Sequence, residues 1–162
     1  PAAIGAQFAK PDLMVIDVDG DGSIRMNLGE LETVTTYDLP VKILLINNKG
    51  DGMVKQWQKF YYEARFSGSD KTLHQKDFVM SAKSDGFQYA ERLTEKKDIA
   101  KTIKEFIDFP KAAFLEVITD PDAMVYPMVG PGMAYDQMVT GEFINSRETD
   151  QEVDDIDPNA MF

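Results

Sequence analysis

Residues on which many functional sites depend are absent or scarce in this chain. It has no cysteine and one histidine, His74, among 162 residues. The lack of cysteine excludes disulfides and thiolate metal sites. His74 lies in a polar stretch, so we expect it at the surface and not in a Ser-His or metal-histidine constellation. No apolar run approaches the ~20 residues of a membrane-spanning helix, so no membrane partner is predicted.

Basic residues are also few. The 17 Lys and Arg are outnumbered by 28 Asp and Glu, and the net charge is −11. This balance argues against a nucleic-acid partner, which requires a basic face. Much of the acid lies late in the chain, which predicts a domain over 1–140 and an acidic tail over 141–162. The tail is expected to be solvated, or else to order over an active site. The expected location is the cytoplasm, or a plastid or mitochondrion in a eukaryote.

What the sequence does contain is alternating strand and helix patterns. Near-continuous apolar runs at 13–18 and 41–46 predict strands buried on both faces of a parallel sheet. Further strands are predicted at 89–93 and 112–119, and a polar loop at 66–75. Helices are predicted at 1–9, 24–37, 51–64, 77–83 and 94–107, the last with a capping pattern at its start. This alternation predicts an α/β fold of three layers (αβα) with a mostly parallel sheet.

Polar, glycine-rich turns follow the first two predicted strands. They are Gly20-Asp21-Gly22-Ser23 and Asn48-Lys49-Gly50-Asp51-Gly52. Ligands of open α/β sheets bind beyond the carboxyl ends of the strands, so we expect the two turns to meet at one site. Glycines allow the backbone to approach a ligand closely. Ser23 is predicted to cap the following helix, whose free N–H groups would face the same side.

The oxygen atoms of these turns suit a magnesium ion that holds a diphosphate. Asp21 and Asn48 could supply side-chain oxygens, and Gly50 a backbone carbonyl. One rival interpretation is a calcium-binding EF-hand loop that begins at Asp17. Its twelfth position would then be Leu28 instead of the required glutamate. A second rival is an acidic surface turn that binds nothing.

The pair of turns resembles the metal–diphosphate motif of thiamine-diphosphate enzymes. More of the chain, from residue 1 to about residue 140, is similar to one branch of them, the acetolactate (acetohydroxyacid) synthase large subunit. The segments that carry this resemblance are Pro1–Ala6, Met26-Asn27, Glu30-Leu31, Leu39–Lys42, Asn47-Asn48, Gly52–Val54, Gln56-Trp57, Phe60-Tyr61 and Val125–Val129. The stretch from Lys49 to Asp51 departs from common family versions.

The resemblance implies roles for particular residues. Asp21, Asn48 and the Gly50 carbonyl would bind Mg²⁺. Thiamine diphosphate would be held by Asn48 and by five further residues, namely Gly20, Gly22, Ser23, Gly52 and Met53. Trp57 would shape the pocket for the second 2-keto acid. No catalytic residue is assigned, because the glutamate that activates the cofactor is expected outside this chain.

The resemblance also implies an activity and partners. The full enzyme would decarboxylate pyruvate and condense the product with a second 2-keto acid, in branched-chain amino acid biosynthesis. This chain would be its C-terminal portion, inactive in isolation. It would form a homodimer or pair with an N-terminal domain, and a regulatory subunit is possible. FAD could be present in the full-length enzyme but would not bind this domain. The alternatives are another thiamine-diphosphate decarboxylase or carboligase, and a non-catalytic cofactor-binding or assembly module.

Overall fold

Four parallel strands form the centre of the fold. The computed structural model describes residues 1–141, and the sheet has the order β1-β2-β4-β3. All neighbours in the sheet are parallel, so the four carboxyl ends share one edge. The strands are β1 (Ile16–Gly20), β2 (Lys42–Asn47), β3 (Tyr89–Leu93) and β4 (Ala113–Ile118).

Helices connect the strands and lie on both faces of the sheet. The α-helices are α1 (Ala2–Ala9), α2 (Glu30–Thr36), α3 (Gly52–Tyr61), α4 (Phe78–Ser84) and α5 (Ile99–Asp108). Short 3₁₀ helices occupy Ile24–Asn27, Lys96–Asp98 and Tyr135–Gln137. No helix within residues 1–141 is long and apolar enough to cross a membrane.

The hydrophobic core consists of one cluster on each face of the sheet. On one face, α1, α2 and α4 pack against side chains such as Ile43, Leu45 and Phe114. On the other face, α5 inserts Phe106 against Ala113 and Leu115. Helices therefore cover both sides of a parallel sheet, which confirms the predicted three-layer α/β class.

Strand β1 differs from its prediction. It begins at Ile16 and ends at Gly20, whereas the apolar run predicted 13–18. It is an edge strand, and Val18 is 65% exposed. The prediction that this strand is buried on both faces is therefore wrong. The central strand β2, by contrast, is buried or half-buried along its whole length, as its apolar pattern predicted.

Two predicted helices begin differently in the structure. The segment predicted as one helix over 24–37 is a 3₁₀ helix followed by α2, and the two are separated at Gly29, a poor helix former. The pattern at 94–107 yields a 3₁₀ turn and then α5 from Ile99, with no side-chain cap. The predicted cap at its start is therefore wrong.

Helix α3 is shorter than the predicted helix over 51–64. It ends at Tyr61, shortly before Glu63 and Ala64 take positive φ angles.

The remaining predicted elements lie close to their expected positions. Strand β3 has the predicted bounds, and α4 and β4 differ from theirs by one residue at each end. The predicted acidic tail lies outside the described residues beyond Gly141, so both the tail and the domain boundary stay predictions.

Candidate cofactor site at the ends of β1 and β2

The two glycine-rich turns contact each other at the carboxyl edge of the sheet. Gly20 at the end of β1 pairs in register with Ile46 near the end of β2. Two residues after Gly20, a Cβ on Gly22 would overlap a carboxylate oxygen of Asp51, which lies in the second turn. Only glycine permits this approach without a shift of Asp51. The predicted meeting of the two turns is therefore present.

Asp21 is a buried carboxylate with an unused oxygen. The residue is 1% exposed, and its Oδ1 has no hydrogen-bond partner within the described part of the chain. Burial raises the pKa of Asp21, while the Gly50 N–H and the charges of Arg25 and Lys71 oppose that rise. An unpaired buried polar atom costs free energy, so it is a position where a bound cation would be stabilising.

The turn after β2 exposes the backbone of Gly50 to the site. Gly50 forms an antiparallel bridge with Asp70, made by the Asp51 N–H to Ser69 O (2.9 Å) and the Lys71 N–H to Lys49 O (2.9 Å). In such a pair the opposed residues direct their own N–H and C=O groups away from each other. The Gly50 N–H lowers the pKa of Asp21, and the Gly50 carbonyl is not used by the bridge.

Glycine at position 50 is also required by space. A Cβ there would lie 2.8 Å from Lys55 Cδ and 2.9 Å from the Ser69 carbonyl oxygen. The preceding residue, Lys49, has a φ of 57°. Its N–H donates to the Asn47 side-chain oxygen at 2.9 Å, which stabilises this left-handed turn.

Asn48 lies over the start of α3. A Cβ on Gly52, the first residue of that helix, would be 2.6 Å from Asn48 Nδ2. The absence of a side chain at Gly52 therefore lets the Asn48 amide occupy this position. Asn48 and Gly52 are therefore in close contact at the start of α3.

Ser23 does not cap the helix that follows it. Its backbone is helical (φ −76°, ψ −38°) and its side chain makes no capping bond. The hydroxyl instead donates to Asp19 Oδ1 and accepts from the Gly20 N–H at 3.3 Å. A capping residue usually has an extended backbone, which explains why the predicted cap is wrong. The Ser23 side chain stabilises its own turn.

Two of the three predicted site residues on α3 are exposed. Met53 is 68% exposed and Trp57 is 42% exposed, so neither is core filler within the described structure. The Trp57 ring lies 5.2 Å from the Tyr61 ring. An apolar strip on α3 therefore begins beside the glycine-rich turns.

Sequence reasoning missed a polar network beneath the site. Asn47 donates to Glu116 Oε1 at 2.6 Å, and Arg92 donates to Glu116 Oε2 at 2.5 Å. Arg92 also bonds Asp77, whose Oδ1 caps α4 by accepting from the Met80 N–H at 3.0 Å. Glu116 within the apolar β4 sequence was the available signal, since buried charges need partners.

Sequence reasoning also missed the part played by the segment after α3. The predicted loop over 66–75 has no helix or strand, but it is not independent of the site. Its Lys71 forms an ion pair with Asp51, and its backbone bridges to Gly50. His74 is exposed, as expected.

The oxygen donors of the two turns suit a magnesium ion. They do not form a site rich in histidine or acidic side chains. Within residues 1–141, no group of three His, Cys, Asp or Glu side chains converges. What the two turns offer is the unpaired Asp21 oxygen, the Asn48 amide and a backbone carbonyl. This set leaves room for phosphate and water ligands, which Mg²⁺ usually retains. The absence of a glutamate at position 28 and the strand before the turn also disfavour an EF-hand.

The arrangement of turns, glycines and unpaired carboxylate at a parallel sheet edge is typical of a domain that binds a phosphorylated cofactor. The family described as thiamine pyrophosphate enzyme, C-terminal TPP binding domain, matches residues 1–117. The chain belongs to this family of thiamine-pyrophosphate-binding domains.

Curated relatives narrow the comparison to one group of enzymes. The mitochondrial acetolactate synthase of Schizosaccharomyces pombe is 43% identical over 147 residues, which cover 90% of this chain and 21% of that protein. The acetolactate synthase large subunit of Cyanidium caldarium is 40% identical over 139 residues, covering 86% of this chain and 24% of that protein. The chain thus spans less than a quarter of the length of either relative.

A solved structure supports the fold. The thiamine diphosphate-dependent 4-hydroxybenzoylformate decarboxylase of Rhodococcus jostii superimposes with a TM-score of 0.67 at 30% identity. The match covers 74% of this chain and 22% of the decarboxylase chain. The expected α/β fold of a thiamine-diphosphate enzyme is therefore confirmed.

Proposed function

We propose that this chain binds thiamine diphosphate together with Mg²⁺ and forms the cofactor-binding portion of an acetolactate synthase. The observation that carries the cofactor proposal is the buried, unpaired Oδ1 of Asp21 beside the Gly50 backbone. Identity to acetolactate synthases of 40–43% over most of the chain supports the choice of enzyme.

The two turns would share the tasks. Asp21, Asn48 and the Gly50 carbonyl would hold the metal ion. Gly20, Gly22 and Ser23 would bind the diphosphate, and the lack of a side chain at Gly22 lets the second turn pack against the first through Asp51. The free N–H groups at the start of α3 favour an anion in the same region.

The apolar residues of α3 would serve the organic part of the cofactor and the substrate. Gly52 and Met53 would line the thiamine, and Trp57 would shape the acceptor pocket. Their exposed side chains would exclude water once covered by cofactor or by the rest of the enzyme. Thiamine diphosphate, when bound, supplies the carbanion-stabilising group that 2-keto acid chemistry requires.

The cofactor proposal is tested by calorimetric titration of the 162-residue chain with thiamine diphosphate, with and without Mg²⁺. Saturable binding that requires Mg²⁺ is expected. Heat that is the same in both titrations, or no binding in either, would contradict the proposed site.

The enzyme proposal needs a test in a whole protein. This chain is substituted for the matching C-terminal segment of the Saccharomyces cerevisiae acetolactate synthase catalytic subunit, to which it is 40% identical. Formation of acetolactate from pyruvate by the chimera is expected. A folded chimera that binds cofactor but forms none would contradict the synthase assignment.

A decarboxylase is the second candidate, favoured by the structural match to the Rhodococcus jostii enzyme. The same chimera distinguishes the two, since a decarboxylase-type site would release aldehyde from a 2-keto acid in place of the condensation product. The non-catalytic module remains the outcome if cofactor binds and neither product forms.

The assembly of the full protein is also part of the proposal. Met53, Val54 and Trp57 present an exposed apolar strip on α3, which suits contact with a second copy or with another domain of the enzyme. We propose pyruvate and a second 2-keto acid as substrates. FAD, if the full enzyme contains it, would bind elsewhere. Cytoplasm, plastid and mitochondrion stay open as locations.

A further inference from the structure

The segment between α3 and α4 is anchored to the candidate site by its backbone. Lys71 donates its N–H to Lys49 O at 2.9 Å, and Ser69 accepts from the Asp51 N–H at 2.9 Å. A further bond joins the Ser69 hydroxyl to Gln58 of α3. These bonds fix Lys71 beside the turn that would hold the metal.

The side chain of Lys71 extends across both turns. It is 10% exposed, and its ammonium group pairs with the Asp51 carboxylate. The Lys71 Cε lies 3.9 Å from the position that a Cβ on Gly22 would take. The ammonium group is therefore held between the turn after β1 and the turn after β2, next to the backbone predicted to receive a diphosphate.

The charge of the site favours such a cation. Asp19 lies near the end of β1, Asp21 and Asp51 lie on the two turns, and a diphosphate would add further negative charge to these three carboxylates. Arg25 directs its Nε to the backbone carbonyl of Asp21 at 3.0 Å. Lys71 is held against the Asp51 carboxylate beside Gly22, and a lysine ammonium binds phosphate as a compact point charge.

We infer that Lys71 is a diphosphate-binding residue, contributed by a segment whose sequence predicts only a polar loop. The inference rests on the proposed function, since it assigns a further contact to the same cofactor. In this assignment Asp51 holds the lysine in place before the ligand arrives. The ammonium group then shares its hydrogen bonds between Asp51 and a phosphate oxygen.

The test compares Lys71→Met with Lys59→Met in the full 162-residue chain. Both changes remove one positive charge and keep a similar stem, but Lys59 is an exposed residue near the end of α3. Binding of Mg²⁺ alone, and of thiamine diphosphate in the presence of Mg²⁺, is measured by calorimetry. Lys71→Arg is included because it retains the charge.

The expected effects on affinity differ between the two ligands. Lys71→Met should weaken thiamine diphosphate binding about tenfold, as expected for one lost charge-assisted hydrogen bond. It should leave Mg²⁺ binding unchanged or make it tighter, because a cation has been removed near a cation site. Lys59→Met should change neither, and Lys71→Arg should retain most of the affinity.

Three results would overturn the inference. Equal weakening of Mg²⁺ and cofactor binding would show that Lys71 only shapes the metal turn. Full recovery of affinity in Asp51→Asn/Lys71→Met would show that Lys71 only neutralises Asp51. Unchanged cofactor affinity in Lys71→Met would remove Lys71 from the site. Failure of the unaltered chain to bind the cofactor at all is a different result, which overturns the proposed function as well.

Discussion

Two carboxylates are almost fully buried in the described part of the domain, and their surroundings differ. Glu116 on β4 is 2% exposed, and both of its oxygens have partners, Asn47 and Arg92. Asp21 after β1 is buried to a similar degree, yet its Oδ1 has no partner within residues 1–141. The paired carboxylate belongs to the scaffold, whereas the unpaired one is where a ligand atom is needed.

The two adjacent asparagines at the end of β2, Asn47 and Asn48, differ in the same way. Asn47 is buried and links Glu116 to the Lys49 N–H, so it holds the shape of the turn. Asn48 lies over Gly52 on the site side. A polar pair that looks uniform in the sequence therefore has one structural member and one member directed to the site. Substitutions of the structural residues should therefore affect stability, and substitutions of the residues at the candidate site should affect binding.

The largest expected effect is on binding, from Asp21→Ala. Loss of the unpaired carboxylate should weaken Mg²⁺-dependent binding of thiamine diphosphate by at least about a hundredfold, because the proposed metal ligand is removed. Calorimetry with and without Mg²⁺ measures it, and Asp12→Ala, at an exposed position, is the matched control. Affinity equal to that of the control would remove Asp21 from the site.

The paired carboxylate should affect stability instead. Glu116→Ala leaves Asn47 and Arg92 without their partner and should lower the free energy of unfolding by about 2–3 kcal/mol. For a chain of this size that corresponds to a melting temperature lower by about 5–10 °C. Thermal unfolding of the unliganded protein measures this change.

A surface ion pair provides the control for that measurement. Glu105 pairs with Lys101 on α5 at 3.9 Å, and both side chains are exposed. Glu105→Ala should therefore cost less than about 1 kcal/mol. Similar losses in the two variants would mean that the buried network under the site contributes no more than a solvated pair.

The third prediction concerns the position of Asn48. Gly52→Ala places a methyl group 2.6 Å from Asn48 Nδ2, so the amide must move. We expect Mg²⁺-dependent binding to weaken about tenfold while α3 stays folded. In Gly5→Ala, by contrast, the new Cβ meets no atom within 4 Å, and an alanine inside α1 should stabilise by about 0.5–1 kcal/mol. Unchanged binding in Gly52→Ala would show that Asn48 does not need its present position.

The sequence predicts those features of the fold and of the candidate site that depend on local residue patterns. Apolar runs that end in Gly-Asp-Gly and Asn-Asn predict strands whose ends meet at a site, and the structure brings those turns together. The resemblance to acetolactate synthases supplied roles for residues such as Met53 and Trp57, which the exposed surface of α3 does not test. The cofactor class agrees with the family to which the chain belongs.

What the sequence could not predict depends on contacts between distant residues. Glu116 and Asn47 are 69 positions apart, and Lys71 meets Asp51 across 20 positions, so neither pair follows from spacing along one element. The exposure of Val18 follows from the edge position of β1 in the sheet. The apolar residues around Val18 in the sequence do not indicate that position. The Ser23 cap was wrong because its hydroxyl bonds Asp19 within the same turn.

The smallest expected effect is the pH dependence that the unpaired carboxylate imposes on stability. Burial raises the pKa of Asp21 above its ordinary value of 3.8, so the folded state binds this proton more tightly than the unfolded state does. The ionised group therefore destabilises the metal-free protein above the raised pKa, and the penalty disappears as the pH falls through that pKa towards 3.8. Asp21→Asn removes the charge and should be more stable than the unaltered chain by about 1 kcal/mol near neutral pH. Urea unfolding in a chelator, from about pH 7 to about pH 4, should show this difference shrinking towards zero. A difference that stays constant over that range, or that grows on acidification, would contradict the raised pKa of Asp21.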